Sequence, residues 1–218
     1  MKDLTAIRGK YYLRQIIAEG EHEQQDFKYS VSDALKIARS ISAFANNRGG
    51  RLLIGVKDNG VIAGVRNEED IYVVEQAAQM YCRPAVELRF TAIMAGEGLR
   101  VIRAEIPACG NKGVKCREAD GRWRAYYRVK DENILASPVM VKAWQRAALA
   151  KPVTIASGSA EEEVLRHIDR SGTATLRSIT GATHLSAGAA TRAVCALYAA
   201  GLADFEFRGR SFVVVRRE

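Results

Sequence analysis

The chain has 218 residues, with 33 Lys and Arg against 25 Asp and Glu, a formal net charge of +8. At 48% hydrophobic and 27% charged residues it can bury a core, and its composition is not that of a disordered chain. No run of about 18 apolar residues could span a membrane, and the N-terminal MKDLTAIRGK has no signal-peptide apolar block, so a cytoplasmic protein is expected.

Helix and strand patterns alternate over the first two thirds of the chain. Leu4, Ile7, Tyr11, Leu13 and Ile17 set a helical period over Leu4–Ala18 that Gly20 closes. Gln25–Tyr29 reads as a short strand. Ser32 can cap a helix to Asn46 whose apolar face is Leu35, Ile37, Ile41 and Phe44. After Gly49-Gly50, Arg51–Lys57 reads as a buried strand, and Asp58-Asn59-Gly60 as a turn returning through a second strand, Val61–Val65. Asn67 can cap a helix to about Cys82. Val86–Ile93 and Leu99–Ile106 suit a hairpin, Arg122–Val129 is another strand, and Ser137-Pro138 opens a helix to about Ala147. This is the order of an α+β domain with a mostly antiparallel sheet.

The stretch ALAKPVTIASGS, Ala148–Ser159, lacks apolar periodicity and reads as a linker. It divides a domain of residues 1–148 from one of residues 159–218, with 149–158 between them. Ser159 can cap the helix Ala160–Arg170, whose first turn holds Glu161, Glu162 and Glu163. Helices at about Leu176–Thr180 and Ser186–Ala200 follow, and strands Leu202–Phe207 and Ser211–Arg216 flank Arg208-Gly209-Arg210. Three helices and then a β-hairpin are the order of a winged helix. Cys82, Cys109, Cys116 and Cys195 form no CxxC pair and lie far from His22, His167 and His184. Reduced, mostly buried thiols are expected rather than a zinc site.

Four blocks of the first domain carry the most information. They are GEHEQQDFK at Gly20–Lys28, AFANNRGG from Ala43, LLIGVKDNGVIAG from Leu52, and YYRVKDENILAS at Tyr126–Ser137. As an ordered set they resemble the Schlafen/AlbA-like DNA-binding domain family over about residues 3–147, with Asp26 where Glu is usual and Asn47 where Thr is usual. The resemblance implies an α+β nucleic-acid-binding domain. Some Schlafen members are metal-dependent RNA endonucleases, and by position their site would carry over to Glu21, Asp26 and Asp58 with Lys28 beside them. Mg²⁺ or Mn²⁺ would then be held by carboxylate oxygens. The plain alternatives are a DNG turn at Asp58 and an Asp26–Lys28 pair on one strand face. The main reading needs neither metal nor cofactor. Asn46, Asn47, Arg48, Gly49 and Gly50 are candidates for a phosphate-binding loop, or else turn and packing residues. They do not match a P-loop, which ends in Gly-Lys-Ser/Thr.

The charge is concentrated. Residues 112–130 hold Lys112, Lys115, Arg117, Arg122, Arg124, Arg128 and Lys130 against Glu118 and Asp120, whereas residues 151–218 total only +2. Alternation along Arg122–Lys130 puts Arg122, Arg124, Tyr126, Arg128 and Lys130 on one face and Trp123 and Tyr127 on the other. The expectation is Trp123 and Tyr127 in the core, and a basic face outward that tracks phosphates while Tyr126 stacks on a base. In the C-terminal domain Arg192, Arg208 and Arg210 are the candidate contacts, although a third helix whose only charge is Arg192 is a poor base reader. The favoured function is DNA binding, with transcriptional regulation as its use and RNA as the other nucleic acid. A homodimer would suit paired half-sites. The rivals are the endoribonuclease and a protein-interaction module.

Overall fold

The computed structural model describes residues 7–65, 69–96, 98–110 and 113–217, with Ile7 and Arg8 described as backbone only. The chain forms two compact units, one built from residues up to Gly110 and Val114–Leu135, the other from Ala136 onward together with Gly113.

The first unit is layered. Five strands form one sheet: β1 (Ile7–Arg8), β2 (Gln25–Lys28), β3 (Gly50–Ile54), β5 (Arg89–Gly96) and β6 (Leu99–Ile106), in the order β1-β5-β6-β3-β2. The pairs β1–β5 and β2–β3 are parallel and the other two antiparallel. Alternation sends Phe27, Leu53, Ile93 and Val101 to one face, where α1 (Lys10–Ala18) covers them with Leu13 and Ile16. Leu52, Ile54, Ile102, Ala104 and Ile106 take the other face and meet α2 (Ala34–Asn46) and α3 (Glu69–Met80). Beyond α2 lies a second sheet, with β4 (Cys82–Arg83), β7 (Lys115–Arg117), β8 (Trp123–Val129) and β9 (Glu132–Leu135) in the order β4-β7-β8-β9, all antiparallel.

Helix α2 is therefore covered on two sides, and its composition fits that position. From Ile37 to Asn46 every residue but Arg39 is buried, and five of them are Ala or Ser, which let two sheets approach one helix closely. Its C-terminal end is fastened by side-chain hydrogen bonds. Asn46 Nδ2 donates to the carbonyls of Val114 (2.8 Å) and Tyr126 (2.9 Å), and its Oδ1 accepts the Val114 N–H at 2.7 Å. Ser42 Oγ donates to Val114 O at 2.8 Å and accepts the Tyr126 N–H at 3.0 Å.

The second unit holds α4 (Pro138–Ala148), α5 (Ala160–Ser171), β10 (Thr173–Ala174), α6 (Leu176–Ala182), α7 (Ala187–Ala199), β11 (Ala203–Arg208) and β12 (Ser211–Arg216). Its three strands pair antiparallel in the order β10-β12-β11. Val164, Ile168, Ile179, Val194, Leu197 and Val214 form its core. Ser137, Ser159 and Ser186 each cap a helix through a backbone N–H three residues on.

Several boundaries differ from those expected. The first helix starts at Lys10, because Ile7 and Arg8 pair with β5 instead. Asp33 rather than Ser32 caps α2, accepting the N–H groups of Leu35 and Lys36. The DNG turn forms, with Lys57 N–H on Val61 O and Gly60 N–H on Lys57 O, but Val61–Val65 is joined by a single bridge, Val56 to Ile62, and is no strand. Asn67 lies outside the described residues. The domain boundary also moves: α4, expected to close the first domain, belongs to the second unit. Val139 of α4 packs on that unit's core and the Cys195 thiol lies 3.8 Å from Val139 O. None of the four cysteines is in a disulfide and three of them are buried, and no described helix is long and apolar enough to cross a membrane.

Replacing Asn46 by Ala strands the Val114 N–H and takes a donor from the Tyr126 carbonyl, leaving Val114 O with Ser42 alone, so Asn46→Ala should lower stability by about 2–4 kcal/mol in urea unfolding. Asn46→Asp should not restore it, because a carboxylate cannot donate to either carbonyl.

Candidate nucleic-acid interface

A buried charge pair lies at the centre of the sequence-predicted residues. Arg128, on β8, is only 1% exposed. Its guanidinium lies 3.5 Å from Asp26 Oδ1, donates to Asn133 Oδ1 at 2.9 Å and to the carbonyl of Gln25 at 3.4 Å, and sits 4.9 Å from the Phe44 ring centroid. Asp26 also takes Lys28 Nζ at 2.8 Å on its other oxygen. The Glu21 carboxyl neighbours Asp26, and its Oε1 accepts the Phe27 N–H at 2.8 Å. Burial and the neighbouring Asp26 raise the Glu21 carboxyl above the ordinary value. Gln25 is fully buried, with its amide on the carbonyls of Ile16 and Gly20. Asp26, Lys28 and Arg128 form one wall of a cleft of about 450 Å³ that Ser30, Lys36 and Arg39 also line.

This geometry does not fit a three-carboxylate metal site. Asp58 is exposed in the DNG turn, both oxygens of Asp26 already face cations, and Glu21 is engaged by the backbone. Among the described residues no three His, Cys, Asp or Glu side chains group to hold an ion. The phosphate-loop residues are also committed elsewhere. Asn46 fastens the second sheet, as above. Asn47 Nδ2 donates to Arg128 O and its Oδ1 accepts the Tyr127 hydroxyl. The N–H groups of Asn47 and Gly49 both go to Phe44 O. Gly49 has φ +75°, and a Cβ there would lie 2.7 Å from Ile106 O; one on Gly50 would lie 2.4 Å from the Phe44 ring. The pair is glycine because backbone and ring leave no room. Arg48 is exposed beside it.

The two faces of β8 are exchanged relative to expectation. Tyr126 packs on the α2 core and donates its hydroxyl to Glu118 at 2.9 Å. Burial, then Glu118, pushes the Tyr126 hydroxyl up to about 12. Glu118 is buried and held by the Arg39 guanidinium, which with Tyr126 keeps its carboxyl below the ordinary value. Tyr126 and Arg128 thus face inward, each held by interior partners. Arg122 and Arg124 sit 3.7 and 3.4 Å from Asp120, and Lys130 is exposed at φ +55°. Lys112 lies outside the described residues.

The opposite face is the cationic one. Paired residues share a face, and Arg83 pairs with Lys115 and Arg117 with Trp123. The Arg83 guanidinium lies 4.1 Å over the Trp123 ring. Arg83 and Arg117 are exposed and Lys115 half-buried, and no ion pair to a carboxylate joins any of the three among the described residues. Sequence reasoning missed Arg83, which is remote from the basic stretch, and missed Arg39, Glu118 and Asn133 as the partners that turn β8 over. In the second unit Arg208 is paired with Glu206 at 2.7 Å, Arg210 is exposed in the hairpin turn, and Arg192 is exposed on α7.

Two outcomes follow. Arg128→Met leaves Asp26 buried beside Lys28 alone and should cost about 3–5 kcal/mol in denaturant unfolding. The lowered Glu118 carboxyl stabilises the fold above its ordinary value of 4.5, and that contribution is lost as pH falls through its lower folded value. Glu118→Gln should therefore flatten the acid limb of the stability–pH curve, whereas Glu21→Gln, removing a raised carboxyl, should remove a loss that sets in as pH rises.

The Schlafen, AlbA_2 family model matches residues 21–137. The DIP2311 protein from Corynebacterium diphtheriae has a crystal structure similar at a TM-score of 0.46 and 19% identity, over 94% of this chain and 38% of that one. The chain thus spans well under half the length of that protein. No curated protein matches it. The matched segment takes in Glu21, the Asp26–Arg128 pair, α2 and both sheets' central strands, and the chain belongs to the Schlafen, AlbA_2 domain family.

Proposed function

We propose that this protein binds nucleic acid, DNA in preference to RNA, through the face of the second sheet that carries Arg83, Lys115, Arg117 and Trp123. The observation that carries the reading is the Arg83 guanidinium 4.1 Å over Trp123, beside two further cations without a carboxylate partner among the described residues. Stacking on the indole fixes the plane of the guanidinium and leaves its N–H edge free for a phosphate, at less entropic cost than a lysine would carry. Membership of the Schlafen, AlbA_2 family supports the same nucleic-acid-related role. We read the C-terminal unit as a winged helix. Its helix, short strand, two helices and hairpin, with β10 completing a three-stranded sheet, support that. A cytoplasmic regulator acting as a homodimer is the setting in which such a pairing would serve.

Anisotropy titration of a labelled random duplex tests the proposal. Affinity should fall steeply with salt, and Arg83→Ala and Arg117→Ala should each reduce the slope of log K against log salt by about 1. An RNA duplex of the same sequence should compete more weakly. Absence of binding at about 50 mM salt, or a slope that neither variant changes, would overturn it.

A further inference from the structure

The second unit contains a cleft that the sequence did not reveal, because its walls come from segments far apart in the chain. It has a volume of about 690 Å³ and is lined by Lys142 and Arg146 of α4, Glu161 of α5, and Gly188, Thr191 and Arg192 of α7, with the buried Cys195 and Ala196 also lining it. Lys142 and Arg146 are one turn apart on α4, and Arg192 faces them from α7. None of the three has an ion pair to a carboxylate among the described residues, although α5 offers three acids in its first turn. Glu162 is already engaged by Arg166 and by the Gly158 N–H. The Arg192 guanidinium reaches back over Gly188, 3.5 Å from where a Cβ would stand, an ordinary contact distance.

We propose that this cleft binds a phosphate ester, with Lys142, Arg146 and Arg192 around the phosphoryl oxygens and Glu161 accepting a hydrogen bond from a neighbouring hydroxyl or amino group of the ligand. Three cations on two packed helices make a positive concavity, where phosphate is attracted by charge and oriented by the planar guanidinium edges. The volume is that of a nucleotide-sized site. A free nucleotide and a nucleotide unit of a nucleic acid present the same chemistry. The site uses none of the residues of the Arg83 face, so either can fail without the other.

The test uses the full chain with two probes, GMP in equilibrium dialysis and the labelled duplex in anisotropy. Arg146→Gln combined with Arg192→Gln should weaken binding of at least one probe about tenfold or more. Glu161→Gln should strengthen binding of that probe, by about two- to threefold, because it removes an anion facing the phosphate. A merely structural role for these side chains would not give effects of opposite sign. If only GMP responds, the ligand is a free nucleotide; if only the duplex responds, it is the nucleic-acid backbone. If the double variant binds both probes as the wild type does, the cleft is not a phosphate site, and if Arg83→Ala alone still weakens the duplex, the Arg83 face stands regardless.

Discussion

The arrangement of the first unit depends on one buried guanidinium. Arg128 on β8 reaches Asp26 on β2, the Gln25 carbonyl on the same strand, Asn133 on β9 and the ring of Phe44 on α2. It is a bond between two sheets that are not otherwise joined by a ladder. A charge taken this far out of water is tolerated only when its donors are matched by acceptors, and here a carboxylate, an amide oxygen and main-chain carbonyls provide them. Because the bond has a direction, it also fixes which face of β8 looks inward. The cationic face that we assign to nucleic acid is a result of that choice: with Tyr126 and Arg128 inside, Trp123 and its paired Arg117 must lie outside.

That choice is why alternation along Arg122–Lys130 was legible in the sequence and its orientation was not. A period of two defines two faces but does not say which is buried, and size and apolarity favoured Trp123 over an arginine for the core. The deciding groups are Asp26, Asn133, Arg39 and Glu118, and only two of these lie within ten residues of Tyr126 or Arg128. Glu118 reads as a surface acid in isolation; with Arg39 and the Tyr126 hydroxyl beside it, it becomes an interior one.

Local chemistry was read more faithfully. The helix start at Ser137-Pro138, the Ser159 cap and the DNG turn all depend on contacts within a few residues, and the hairpin expected from Val86–Ile93 and Leu99–Ile106 forms with its first arm at Arg89–Gly96. The two-residue strands β1 and β4 and the short β7 were not legible, since two or three residues carry no period and exist only through pairing with distant partners. The place of α4 failed for a related reason. Its amphipathic pattern shows that it must cover an apolar surface, but not whose. The Schlafen-type blocks marked the right region while suggesting a cluster of three acids that the backbone does not assemble: Glu21 and Asp26 meet, and Asp58 stays on its turn.

The double covering of α2 also bears on how the first unit comes apart. A helix that buries one side against β3 and β6 and the other against β7 and β8 has no stable half-docked state. Removing either sheet would wet Ala, Ser and Phe positions that have no polar face to show, and would leave Asn46 and Ser42 without the strands they hold. The two sheets and the helix between them therefore form a single cooperative unit, whose slowest-exchanging amides belong in α2 and in the strands facing it.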